Sequence, residues 1–240
     1  MPERFKGKIA FVTGGTGALG RVVSEAFYAE GAAVVITYIH EEQAASLPGS
    51  LGSERTRVFL VKADVTDELQ VKSAFQAAAA KFGTVDCLLN IAGGYMGRTP
   101  IEELQLKDWD YMMDLNLKSA FLCTREALKI MSRKGSGRIV NISAMAGLNP
   151  SAGRGAYCIS KASVATLTRI TAEEVKGTGI TVNALAPSII VTEANVRSSP
   201  GEDYSKWVKP EEVAELILYL CSEPARSING AVIEVKGAFN

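Results

Sequence analysis

Tyr157 and Lys161 stand four positions apart, and both residue types can take part in proton transfer. Apolar residues follow at the spacing of a helix over about 157–175, so both side chains are expected on one helix face. A free tyrosine has a pKa of about 10, but a neighbouring ammonium stabilises the phenolate and lowers that pKa toward the useful range. Ser143 ends an apolar run, and its hydroxyl could hydrogen-bond the same substrate oxygen. Spacing alone leaves open a packed tyrosine beside a solvated lysine.

A glycine-rich turn lies between the first predicted strand, Ile9–Thr13, and a helix whose apolar spacing begins at Val22. Residues 14–20 include four glycines, which let the backbone approach a pyrophosphate. The helix that follows would place its free amides and its dipole at the anion. The turn therefore predicts a dinucleotide site, although any tight connection from strand to helix can use glycine.

The end of the second predicted strand, Ala33–Tyr38, is expected beside the adenosine ribose. An acidic residue there would bind the ribose hydroxyls and exclude a ribose phosphate, but this chain has Tyr38, Ile39 and His40. Nothing at that strand end repels the phosphate of NADP, and no arginine or lysine follows at once to clamp it. We therefore predict NADP, with NAD not excluded.

The remaining pattern alternates strands with helices. Predicted strands cover 58–61, 87–90, 138–142, 181–186 and 231–235, and predicted helices cover about 107–132, 157–175 and 210–221. Thr66 is expected to cap the helix after the third strand. The alternation predicts an α/β fold over residues 1–240, a single-domain Rossmann-like doubly wound parallel sheet with helices on both faces.

Composition excludes several classes of function. The 240 residues carry 26 basic and 26 acidic side chains without a basic block, which disfavours nucleic-acid and anionic-membrane partners. No apolar run reaches the roughly 20 residues of a membrane span, and the first residues lead directly into a strand. We therefore predict a cytoplasmic protein with a small-molecule substrate.

The cysteines and the histidine disfavour metal and hydrolase sites. Cys87, Cys123, Cys158 and Cys221 are scattered without paired spacing, so buried thiols are expected rather than zinc sites or disulfides. His40 is the only histidine, which disfavours a Ser/His/Asp hydrolase and a histidine-rich metal centre. We predict no metal site.

Taken together, the motifs resemble the short-chain dehydrogenase/reductase family over nearly the whole chain. The resemblance rests on Thr13, Gly14, Ala18, Gly20, Asp64, Asn90, Ala92, Gly93, Asn116, Ser143, Tyr157, Lys161, Pro187 and Thr192. It implies hydride transfer between a nicotinamide and a small or medium carbonyl or alcohol, with Tyr157 as proton donor or acceptor. Lys161 would hold the nicotinamide ribose and lower the Tyr157 pKa, Ser143 would position the substrate oxygen, and Asn116 would maintain a water relay.

The same resemblance implies the cofactor contacts. Besides Tyr157 and Lys161 they are Gly14, Thr16, Gly17, Ala18, Leu19, Gly20, Tyr38, Asp64, Val65, Asn90, Ala92, Gly93, Pro187, Ile190 and Thr192. Ala18, Ile91 and Ser188 depart from the residues that the family more often has there, and none of these changes removes a catalytic group. Most family members are dimers or tetramers, so we expect a homodimer or homotetramer built on helix faces around Asn116 and Lys161.

Two alternatives stay open for the function. Stretches at 14–20, 92–97 and 192–207 resemble dihydropteridine reductases, which reduce a quinonoid pterin, but Ser143 and Asn116 point back to a carbonyl. A non-catalytic dinucleotide sensor or scaffold would have no need of Tyr157, Lys161 and Ser143 together. The expected substrate cleft is lined by Tyr95, Met96, Leu148, Asn149 and the loop 188–207, where Tyr204 and Trp207 either face the substrate or pack on each other.

Overall fold

One parallel sheet organises the chain. The structure is a computed structural model and describes residues 3–47, 49–52 and 56–238. Seven strands lie in the order β3-β2-β1-β4-β5-β6-β7. Their bounds are β1 Ile9–Thr13, β2 Ala33–Tyr38, β3 Val58–Lys62, β4 Cys87–Asn90, β5 Gly137–Ile142, β6 Ile180–Pro187 and β7 Val232–Val235. The strand order reverses between β1 and β4, which opens a crevice at the carboxyl ends of these strands.

Helices connect the strands. Their bounds are α1 Ala18–Ala29, α2 Glu41–Ala45, α3 Gly49–Gly52, α4 Glu68–Phe82, α5 Leu106–Met113, α6 Ser119–Lys134, α7 Met145–Leu148, α8 Gly155–Glu174, α9 Glu193–Ser198 and α10 Pro210–Cys221. A π-helix over Asp114–Lys118 joins α5 to α6. The predicted fold class is confirmed, and the helix expected over about 107–132 is present but interrupted by this π turn.

The sheet is buried on both faces, which explains why its strands read as continuous apolar runs. One core cluster includes Val12, Phe27 and Ile217, and joins the sheet to α1 and α10. The other includes Phe11 and Phe75, whose rings stack at 4.1 Å, and joins the sheet to α4 and α6. The four cysteines are free and buried, as expected.

A hydrogen-bonded polar network crosses the interior beneath the crevice. The Asn90 amide donates to Asn141 Oδ1 at 2.8 Å and to Thr124 Oγ1 at 3.0 Å. Asn141 in turn donates to Thr168 Oγ1 on α8 at 2.9 Å. All four side chains are buried. The network therefore joins β4 and β5 to the helices on one face of the sheet.

The predicted cap of α4 is wrong by one residue. Asp67, rather than Thr66, accepts hydrogen bonds from the Leu69 and Gln70 amides. Thr66 instead donates through its hydroxyl and its amide to Asp64 Oδ1, at 2.7 and 2.9 Å. This turn thus holds the Asp64 carboxylate at the end of the loop after β3.

Candidate active site

A cleft of about 460 Å³ lies along the carboxyl ends of the strands. It brings together most of the predicted site residues: Gly14, Thr16, Gly17, Ala18, Leu19, Gly20, Tyr38, Asp64, Val65, Ala92, Gly93, Ser143, Tyr157, Lys161, Pro187, Ile190 and Thr192. Asn90 and Asn116 are not among the lining residues. The Asn90 side chain points into the buried network, so this geometry does not support its predicted contact with a cofactor.

The glycine loop after β1 is held by close backbone packing. A Cβ on Gly20 would overlap the Gly14 carbonyl and lie 2.7 Å from Gly15 Cα, so α1 can approach the loop only with glycine there. Gly14 has φ +61 and a Cβ on it would lie 3.0 Å from Ala92 Cα. No side chain caps the first amides of α1. These amides face the cleft as donors for an anion.

The ribose end of the cleft contains polar residues that the sequence reading missed. Thr16 Oγ1 donates to Gln43 Oε1 at 3.2 Å, and Gln43 lines the cleft. Burial raises the Tyr38 pKa, and the hydrogen bond that Glu41 accepts from the Tyr38 hydroxyl raises it further. Lys62 Nζ lies 3.0 Å from Glu41 Oε1. The expectation that this strand end lacks an acidic neighbour is therefore wrong, because Glu41 reaches it from the first turn of α2.

Lys161 is buried at the wall of the cleft. Its Nζ donates to the Ile142 carbonyl at 2.9 Å, and burial lowers its pKa to about 8 because the charged form is desolvated. The Ser143 hydroxyl donates to the Lys161 carbonyl at 2.8 Å. Strand β5 and helix α8 are thus joined at the point where their site residues meet.

Tyr157 is half-buried and carries a raised pKa. Burial raises it to about 12, and the cation that opposes this rise is Arg154, not Lys161. The Tyr95 ring packs edge-on against the Tyr157 ring with centroids 5.0 Å apart. The predicted lowering of the Tyr157 pKa by Lys161 is therefore wrong for this structure. Arg154 could have been noticed from its position three residues before Tyr157, within one helical turn.

Asn116 reaches the site through backbone contacts. Its amide nitrogen donates to the Gly94 carbonyl and to Ser160 Oγ, each at 3.1 Å, and its Oδ1 accepts from the Gly94 amide at 3.0 Å. A Cβ on Gly93 would lie 2.7 Å from Asn116 Oδ1 and 3.0 Å from Lys161 Nζ. Gly93 thus leaves the space that these two polar groups share. π turns of this kind occur frequently at functional sites.

The predicted substrate-side residues divide into two groups. Tyr95 lines the cleft, whereas Leu148 and Asn149 do not. Trp207 is buried and packs edge-on against Tyr204 at 4.8 Å, and the Tyr204 hydroxyl donates to the Ser199 carbonyl. The second of the two expectations for this pair is therefore correct, because the aromatic side chains pack on each other instead of lining the cleft.

Comparison with known proteins agrees with this geometry. Residues 8–203 match the family model described as short chain dehydrogenase. The chain belongs to the short-chain dehydrogenase/reductase family. It is 36% identical to cis-4-hydroxycyclohexanecarboxylate dehydrogenase of Sinomonas cyclohexanicum, covering 100% of this chain and 99% of that protein. It is 33% identical to a 3-oxoacyl-(acyl-carrier-protein) reductase of Synechocystis, with 96% of each chain covered.

A solved structure extends the likeness to three dimensions. A mutant short-chain dehydrogenase/reductase of Serratia marcescens superposes with a TM-score of 0.89 at 32% identity, over 98% of each chain. The chain is therefore an oxidoreductase that acts on alcohol or carbonyl groups of small molecules and binds a nicotinamide dinucleotide. In the described part of the chain, no helix combines the length and apolarity that crossing a membrane requires. The same residues contain no group of three or more His, Cys, Asp or Glu side chains placed to hold a metal ion.

Proposed function

We propose that Tyr157 is the general acid/base for hydride transfer between NAD(P)H and a small or medium carbonyl or alcohol. The observation that carries the proposal is the shared cleft, in which Tyr157, Lys161 and Ser143 adjoin the glycine loop and the free amides of α1. A tyrosine is protonated at neutral pH at its ordinary pKa of about 10, and burial raises the Tyr157 pKa further, to about 12. The phenol can therefore donate its proton to a carbonyl oxygen, and ketone reduction assays that step directly.

The other side chains have supporting roles in this proposal. Lys161 binds the nicotinamide ribose, and below its pKa of about 8 it does so as a charged hydrogen-bond donor. Ser143 holds the substrate oxygen by releasing its bond to the Lys161 carbonyl. Asn116 keeps a water beside Lys161 through its fixed contacts with Gly94. The bound nicotinamide supplies or accepts the hydride, and the protein supplies orientation and the proton.

The deciding experiment compares wild type with Tyr157→Phe. Oxidation of NADPH and NADH is followed with a ketone panel, and cofactor binding is followed by fluorescence. Removing the hydroxyl should lower kcat/KM by about 10²–10⁴-fold, the range of general acid–base catalysis, while cofactor binding stays unchanged. Tyr219→Phe, at a half-exposed tyrosine on α10, is the matched control. Activity of Tyr157→Phe within a few fold of wild type would contradict the assigned role.

We propose NADP as the preferred cofactor, with Lys62 as the cation for the ribose phosphate. Lys62 pairs in register with Tyr38 across β3 and β2, and its ammonium is paired with Glu41. Glu41→Gln should free Lys62 and remove a negative charge, so NADPH affinity should rise several-fold while NADH affinity stays the same. Glu211→Gln, in the first turn of α10, controls for the loss of one surface charge. Tighter binding of NADH than NADPH to wild type would contradict this preference.

We propose a homodimer or homotetramer assembled through the helices behind the site. Large apolar side chains lie exposed on α5, α6 and α8: Leu106, Tyr111, Phe121, Ile159 and Ile170. A second copy of the chain would remove this surface from water. Light scattering should give a mass of two or four chains, and a monomer at micromolar concentration would contradict the proposal.

Further parts of the sequence interpretation stay predictions. One domain over residues 1–240 and a cytoplasmic location belong to the proposed enzyme. The pterin alternative loses support because Tyr204 and Trp207, which could have stacked on a planar ring, pack on each other. The sensor alternative predicts dinucleotide binding without turnover by wild type, so the ketone assay tests it as well.

A further inference from the structure

A second cavity shares Tyr157 with the main cleft. Its volume is about 130 Å³, and its walls include Met96, Leu104, Asp108, Met112, Arg154 and Tyr157. Tyr157 lines both this cavity and the main cleft, so a substrate whose reactive carbon is at Tyr157 can extend into it. At about 30 Å³ per water molecule, the space suits a substituent of a few heavy atoms.

Two opposite charges line this cavity without pairing. Asp108 on α5 and Arg154 at the start of α8 form no side-chain hydrogen bond and no ion pair within residues 3–47, 49–52 and 56–238. Arg154 lies with its guanidinium carbon 5.4 Å from the Tyr95 ring centroid, and its Nε is buried without an acceptor. The backbone of the Arg154 turn is fixed by the Thr99 amide, which donates to the Gly153 carbonyl at 2.7 Å. The backbone beside Arg154 is thus fixed, and a donor side chain and an acceptor side chain line one cavity with no partner for their charges among the described residues.

The charges limit what can occupy the cavity. A carboxylate would gain from Arg154 but be repelled by Asp108, and an ammonium would meet the reverse. An alkyl group would leave both charged side chains unpaired, which is costly for partly buried polar groups. A hydroxyl group donates to a carboxylate and accepts from a guanidinium at the same time. A hydroxyl is the smallest neutral substituent that can satisfy both sides through a single atom.

We propose that the enzyme takes hydroxylated ketones or the corresponding polyols, and that Asp108 and Arg154 bind the second hydroxyl in the cavity beyond Tyr157. This assignment rests on the proposed function and names its substrate class. Asp108 and Arg154 are specificity-determining residues in this account. The Met96, Leu104 and Met112 walls enclose the carbon that bears the hydroxyl.

The test uses three ketones of nearly equal size: 4-hydroxybutan-2-one, pentan-2-one and acetoacetate. Wild type should reduce the hydroxyketone with a kcat/KM about tenfold or more above both others, because each charge-assisted hydrogen bond discriminates by about that factor. Equal values for the hydroxyketone and pentan-2-one would overturn the proposal. A preference for acetoacetate would overturn it too, and would indicate that Arg154 acts alone as a carboxylate site.

Two variants test the contributions of Asp108 and Arg154 one at a time. Asp108→Leu should remove the hydroxyketone preference and make acetoacetate the best of the three, since Arg154 is then unopposed. Arg154→Met should remove the same preference without favouring acetoacetate. Ratios between substrates are compared because Arg154→Met also changes the charge beside Tyr157. Asp110→Leu, an exposed position on the same helix, is the control that should keep the wild-type ratios. Unchanged ratios in both cavity variants would overturn the assignment.

Failure of the inference is distinguishable from failure of the proposed function. Cyclohexanone, which carries no second hydroxyl, is included as a general ketone. Turnover of cyclohexanone without turnover of the hydroxyketone would overturn the inference alone. Absence of NADPH and NADH oxidation with every ketone would contradict the proposed function as well as the inference.

Discussion

The two sides of the cleft are built in different ways. On the cofactor side, the shape comes from the backbone: Gly14 and Gly20 let β1 and α1 approach each other, and the amides of α1 face the cleft. On the other side, around Tyr95 and in the neighbouring cavity lined by Asp108 and Arg154, the shape comes from side chains on separate segments. Few sequences can form a surface that the backbone shapes, because the glycines cannot be replaced. A surface formed by side chains can change by substitution of one residue at a time.

This difference explains which parts of the site could be read from the sequence. The glycine loop was predictable because its sterics are local. The approach of Ser143 to the glycine loop was predictable because the carboxyl ends of parallel strands meet at one edge. Tyr157 and Lys161 were expected together because residues four apart on a helix share one face. No local sequence pattern predicts the ion pair between Glu41 and Lys62 or the packing of Tyr204 against Trp207. Both contacts depend on the tertiary structure around them.

The direction in which a side chain points was the second feature that the sequence could not predict. Asn90 ends β4 as predicted, but whether its amide faces the cleft or the interior depends on Asn141 in the neighbouring strand. The Tyr157 pKa depends on how much tertiary structure covers the ring, and burial outweighs the nearby Arg154 cation. The fold class and the strands were correct because hydrophobic periodicity records them directly.

The largest effect is expected on the cofactor side, from Gly20→Ala. The new Cβ would overlap the Gly14 carbonyl, so the loop or α1 must move. Dinucleotide affinity should fall about 100-fold or more, since anion binding depends on the placement of the α1 amides. Fluorescence titration measures it. Gly49→Ala, where the added Cβ meets nothing within 4 Å, is the control, and near-normal affinity in Gly20→Ala would contradict a backbone-built surface.

A smaller effect is expected from Gly93→Ala, at the boundary between the two sides. Its Cβ would displace Asn116 Oδ1 and Lys161 Nζ, so kcat should fall about tenfold or more. Cofactor affinity should fall too, because Lys161 also binds the nicotinamide ribose, but less than in Gly20→Ala. Steady-state kinetics and a binding titration separate the two. Gly94→Ala is the neighbouring comparison, because its Cβ would meet only the end of the Leu115 side chain. An equal loss of kcat in both variants would contradict a specific role for Gly93, because any added side chain in this turn would then have the same effect.

The smallest effect concerns stability. Burial lowers the Lys161 pKa to about 8, so at pH 7 the buried ammonium costs about 3 kcal/mol relative to its ordinary pKa. Lys161→Met removes this cost. It also leaves the Ile142 carbonyl unpaired, which lowers the free energy of unfolding by about 1–3 kcal/mol and cancels part of the gain. The variant should be inactive and more stable by about 1 kcal/mol at pH 7, by urea unfolding.

The pH dependence of that difference has a definite sign. Between pH 8 and 10 the unfolded chain binds more protons at Lys161 than the folded chain does, so wild-type stability rises with pH. The advantage of Lys161→Met should therefore shrink across this window. A constant difference from pH 7 to 10 would mean that the lysine is not desolvated in the folded protein.

The buried network under the cleft fixes the position of α8 along its own axis. Thr168 lies seven residues after Lys161, nearly two helical turns, and is joined to the sheet through Asn141. Sliding α8 by one residue would move it about 1.5 Å and break the 2.9 Å hydrogen bond from Asn141 to Thr168, which is costly in a buried interior. The position of Tyr157 relative to the sheet is thus fixed by hydrogen bonds in the protein interior. The surface loops can then diverge to accommodate new substrates while the reacting oxygen keeps its place.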